Sequence, residues 1–142
     1  MNCNDWDAPA FPQPAEPTPT FDYQSYPADR RSLSANAYFW LDSFARHLRT
    51  FGNTTLNGNM VRVDVDAQGF NGADNSQWLG ATNPPRIRHG EGGAPDAADM
   101  GVIIHEYMHG VFEFLGSNHG GSLSYEHSFC DAVPAIYRDR FN

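Results

Sequence analysis

The 142-residue sequence predicts an α+β fold, a small twisted sheet packed on helices with one buried helix at its centre. Three observations carry that prediction. Residues 97–115 are apolar on more than one face, with Val102, Ile103, Ile104, Tyr107, Met108, Val111, Phe112 and Leu115 in one run, as expected of a helix enclosed by the rest of a domain. Residues 32–51 repeat apolar side chains at 37, 41, 44, 48 and 51, the period of an amphipathic helix. Residues 60–66, Met-Val-Arg-Val-Asp-Val-Asp, alternate apolar and polar, the period of a half-buried strand.

Pro9, Pro12, Pro14, Pro17, Pro19 and Pro27 punctuate residues 1–30, which lack any helical or strand period and read as an extended tail or linker. Trp6, Phe11, Phe21, Tyr23 and Tyr26 are the side chains with which that tail can dock. The domain proper is residues 31–142. Its first helix has serines at the start and Gly52 as its stop, and His47 falls off the apolar stripe, which places it on the surface. Asp64 and Asp66 alternate outward along the strand, and their spacing with Asp74 fits no calcium loop, so all three are expected in solvent. A loop rich in Gly, Asn and Asp spans residues 69–74, and residues 75–79 and 85–89 follow as two short strands. Pro95 and Asp96 suit the first turn of the central helix and Gly116 its end. After a glycine-rich turn, serines at 122 and 124 open a last helix, which Pro134 is expected to kink or restart.

Composition narrows the functional class. A net charge of −8 argues against nucleic acid and against anionic membrane surfaces as partners. No apolar run reaches the roughly 18 residues of a membrane span. Met1 to Asp7 is polar and lacks the apolar region of a signal peptide. Cys3 and Cys130 are too few for a disulfide framework and leave either one long-range bridge or two free thiols.

The central helix carries His105-Glu106-Tyr107-Met108-His109, an HExxH motif. At about 3.6 residues per turn the two imidazoles stack on one face, where they can grip one zinc ion. Glu106, beside them, is free to handle the proton of a water on that metal. Five residues are a short motif, and the bland alternative is a buried helix whose histidines are satisfied by backbone or water. Against it, a core helix has no packing reason to carry two histidines and a glutamate among valines and isoleucines, because unpaired buried ionisable groups are costly.

With these residues in this order, the chain from about Ser34 to about Ala132 resembles the gluzincin metallopeptidases, the thermolysin and fungalysin families. Residues 35–40, Ala-Asn-Ala-Tyr-Phe-Trp, stand where those families have their first long helix, and residues 63–66 look like their central strand. Asn75-Ser76-Gln77-Trp78 is similar to the edge strand along which peptide substrates lie, and residues 87–92 to the next strand and its Gly-acidic-Gly turn. The resemblance implies a thermolysin-like N-terminal subdomain, Zn2+ as cofactor, a peptide or protein substrate and an extracellular location. It implies Asn75, Ser76 and Trp78 as substrate-binding residues, with the peptide added to the edge strand. It also implies a third ligand from a second helix, a glutamate followed four residues later by an aspartate that braces a metal histidine. Glu126 is the expected ligand and Asp131 the expected brace, although they stand five apart; His127, four before Asp131, and His119 are the alternatives. Glu113 shares the face of the two histidines and reads as a polar neighbour. The families continue into a helical second half that brings an oxyanion-stabilising histidine, so this chain resembles the first half of their catalytic domain.

The expectation is therefore a zinc-dependent metalloendopeptidase, with metal on His105, His109 and Glu126 and with Glu106 as general base. The rivals are a zinc-binding module without turnover and a structural or interaction domain whose histidines are coincidental.

Overall fold

The computed structural model describes residues 2–3, 31–51, 63–115 and 123–141. Its elements are β1 (Asn2–Cys3), α1 (Arg31–Thr50), β2 (Asp64–Gly69), β3 (Ser76–Leu79), β4 (Arg86–Gly90), α2 (Met100–Phe114) and α3 (Leu123–Arg138), with short 3-10 turns at Phe70–Gly72, Asp96–Ala98 and Asp139–Phe141. The fold is α+β. The sheet order is β1-β2-β4-β3, parallel between β1, β2 and β4 and antiparallel between β4 and β3, so β3 forms one edge. Within the proline-rich tail, Asn2–Cys3 adds a parallel rung to β2. The other tail residues lie outside the described ones, as do residues 60–62, Gly52, Gly116 and His119.

Helix α1 buries Ala37, Leu41 and Phe44 of the predicted stripe and Leu33 a turn earlier, while Leu48 is only partly buried. It ends one residue short of Phe51, whose side chain is 71% exposed rather than the last rung of that stripe. His47 is not a plain surface residue. Its ring lies 5.0 Å from Tyr137 and 4.8 Å from Phe51, and burial followed by the nearby Arg140 guanidinium lowers its pKa. The expectation of a half-buried β2 with solvated aspartates also fails. All six residues of β2 are buried, with Asp66 fully enclosed and its Oδ1 accepting the Gln68 N–H at 3.0 Å. The reason is topological: β2 is an inner strand with parallel neighbours on both sides, and such strands are covered on both faces.

Helix α2 begins later than Pro95. Residues Asp96–Ala98 form a 3-10 turn, and Asp99 caps the helix by accepting the Gly101 N–H at 2.6 Å. Ile103, Ile104, Tyr107, Met108 and Val111 then join Leu41, Phe44, Val65 and Ile87 in a core closed by Cys130 and Tyr137 of α3. Cys130 is a free thiol in that core, where burial pushes its pKa up to about 12. Pro134 does not restart the chain as a new helix: it lies inside α3, which runs from Leu123 to Arg138. The ring removes one backbone donor, and the buried stripe of Cys130, Pro134 and Tyr137 against the core carries the helix across it.

Candidate metal centre

Helices α2 and α3 run in opposite directions where they meet, because His109 faces Glu126 and His105 faces Asp131. His105 Nδ1 lies 2.8 Å from Asp131 Oδ1, and His109 Nδ1 lies 2.6 Å from Glu126 Oε1. A carboxylate only accepts, so each Nδ1 carries the hydrogen and each Nε2 is left with a lone pair. Burial outweighs the Asp131 contact and lowers the His105 pKa, which favours the neutral ring this requires. The two Nε2 atoms are 3.2 Å apart. Two lone pairs directed at each other repel unless a metal ion lies between them or one ring carries a second proton. Tetrahedral zinc with Zn–N bonds of about 2.0–2.1 Å holds its nitrogens about 3.3 Å apart, so the spacing fits such an ion.

His127 completes a set with these two. Ligand atoms of His105, His109 and His127 all lie within 4.8 Å of one another, the one such group among the described residues. Glu126, expected to join the metal, stands instead at Nδ1 of His109, across the ring from Nε2. Asp131 stands where the brace was expected, on His105.

Glu106 is buried, 7% exposed, and burial raises its pKa to about 7 even though His109 and the Trp78 backbone N–H both favour its charged form. A carboxyl poised near neutrality beside two histidines is suited to exchange protons at physiological pH. The N–H it receives comes from the sheet edge. Gly90 N–H donates to Asn75 O at 2.8 Å, so the alternation of an antiparallel pair turns the backbone groups of Ser76 and Trp78 away from β4, toward the open side.

Trp78 fixes that edge to α2. Its indole Nε1 donates to Glu113 Oε2 at 2.7 Å, and its ring lies so close to Gly110 that a Cβ there would meet Cη2 at 2.6 Å. Gly80 serves the same contact, since a Cβ on it would meet Glu113 Oε2 at 1.8 Å. Glu113 is thus a clamp on Trp78 rather than only a polar neighbour, a role that pairing across α2 and β3 hides from the sequence.

Ser76 belongs to an internal chain. Its Oγ donates to Asp96 Oδ2 at 2.7 Å and therefore accepts from His89 Nδ1, 3.0 Å away. His89 is fully buried, its Nε2 has no hydrogen-bond partner, and burial drops its pKa to about 3. No motif in the sequence links His89 to Asp96 or marks either as functional. Asn75 is exposed and lines, with Ser76, Asp96, His105, Glu106 and His127, a cavity of about 620 Å3 between the sheet edge and α3. Of the expected substrate residues, Asn75 and Ser76 therefore border the cavity, while the Trp78 side chain is committed to α2.

The chain matches no protein-family model, no curated protein and no solved structure.

Proposed function

We propose that this protein is a zinc-dependent metalloendopeptidase, with a thermolysin-like subdomain, Zn2+ as its cofactor and an extended peptide or protein as its substrate. The observation that carries this reading is the pair of facing Nε2 lone pairs on HExxH histidines, with the buried Glu106 beside them at the wall of an open cavity. Its resemblance to gluzincins supports the same reading.

His105 and His109 bind the metal through Nε2, and a third ligand comes from α3. Zinc bound there supplies a Lewis acid that lowers the pKa of a water to about 7 and polarises a peptide carbonyl. Glu106 accepts the proton of the attacking water and delivers it to the departing amine. The Trp78 N–H holds the Glu106 carboxylate in place for both transfers. The remaining outward backbone groups of β3, the Ser76 N–H and C=O and the Trp78 C=O, offer a substrate strand hydrogen bonds, and Asn75 at the cavity mouth meets the substrate backbone.

The test is Glu106→Gln, assayed for zinc content and for cleavage of an unstructured protein such as casein. Loss of a general base costs about 10²–10⁴ in rate, so the variant keeps its zinc and loses measurable cleavage. Undiminished cleavage would refute Glu106 as the base. Zinc in the parent without any cleavage would leave a metal-binding module in place of a peptidase.

A further inference from the structure

Resting on the zinc site just proposed, we infer that its third ligand is His127, so that three histidines hold the metal while Glu126 and Asp131 position two of them. The three rings form a near-equilateral triangle, with centroids 5.0 Å apart for His105–His109, 5.3 Å for His105–His127 and 4.7 Å for His109–His127. Glu126 is engaged on the far side of His109. Its Oε1 holds Nδ1, the ring atom opposite the one that faces the ion, and so acts through the histidine.

The spacing within α3 follows from this arrangement. Residues four apart share a helix face, so His127 and Asp131 present a ligand and a brace together. Glu126 precedes His127 and reaches the neighbouring histidine on α2. The five-residue interval from Glu126 to Asp131 is then the distance between two braces rather than a misplaced ligand and its brace. Each Nδ1–H held by a carboxylate fixes its ring in the tautomer that offers Nε2 to the metal. His127 has an exposed ring, so its replacement perturbs no core packing.

The experiment is X-ray absorption at the zinc edge on the full chain, with zinc affinity measured by chelator competition, for the parent, His127→Ala, Glu126→Gln and Glu126→Ala. The parent is expected to show three imidazoles, His127→Ala two, and Glu126→Gln three. Glutamine still accepts from His109 Nδ1, so Glu126→Gln stays within about tenfold of parental affinity, and Glu126→Ala loses about 10–100-fold. His127→Ala loses more than either. Two imidazoles and a carboxylate in the parent, or zinc lost by Glu126→Gln but kept by His127→Ala, would overturn the assignment while leaving the zinc site standing. A folded parent that takes up no zinc would overturn both.

Discussion

A single methyl group at Gly110 tests how the β3 edge is held to α2. In Gly110→Ala the new Cβ would stand 2.6 Å from Trp78 Cη2, 2.7 Å from Cζ2 and 3.0 Å from Cζ3. Ring carbons do not approach a methyl closer than about 3.4–4.0 Å, so the indole must swing away, and its bond to Glu113 at 2.7 Å goes with it. Overpacking costs about 1–3 kcal/mol. The lost bond to a charged acceptor adds about 1.5 kcal/mol, the low end of the range because it is solvent-exposed. Alanine returns about 0.5–1 kcal/mol through its better helix propensity. The net expectation is a loss of about 1.5–4 kcal/mol, read by urea unfolding with the midpoint and slope both fitted. In a Trp78→Leu background the clash is gone, and the same substitution should stabilise by about 0.5–1 kcal/mol. A Gly110→Ala chain more stable than its parent, or one equally destabilised without the indole, would refute the clamp.

Other outcomes follow from the buried groups. Native His89 stays neutral down to about pH 3, whereas in the unfolded chain it titrates near its ordinary 6.5. Below that pH the unfolded chain takes up a proton the native state refuses, so stability falls as pH drops from 6.5 toward 3. The loss is about 2 kcal/mol at pH 5, and urea unfolding at pH 7 and pH 5 should show the parent losing about that much more than His89→Gln. Equal losses in the two would refute the burial of a neutral ring. Removing zinc unties α2 from α3 and should cost several kcal/mol, measured as a fall in thermal midpoint with chelator that added zinc reverses. An unchanged midpoint would contradict a metal that bridges the helices.

Much of this fold is legible one element at a time. The period of α1 identifies Ala37, Leu41 and Phe44 in its buried face, and the apolar residues on several faces of α2 mark it as central, because both signals lie within one stretch of chain. What escapes the sequence depends on neighbours far along it. Asp64 and Asp66 alternate like solvated residues, yet strands on both sides enclose them. The link from His89 through Ser76 to Asp96 joins two strands and a turn. At the site, HExxH locates His105, Glu106 and His109 without help, whereas the roles of Glu126 and His127 turn on which of two adjacent residues on α3 faces the Nε2 atoms of His105 and His109. One residue is about 100° of helix, and only the packing of α3 on α2 decides it.

Whether His105 and His109 hold a metal is read from the zinc content per chain, by elemental mass spectrometry, of folded protein purified without chelator. A value near one is expected in the parent and near zero in His109→Ala. A value near zero in the folded parent would contradict that expectation, leaving the facing histidines of α2 without a metal.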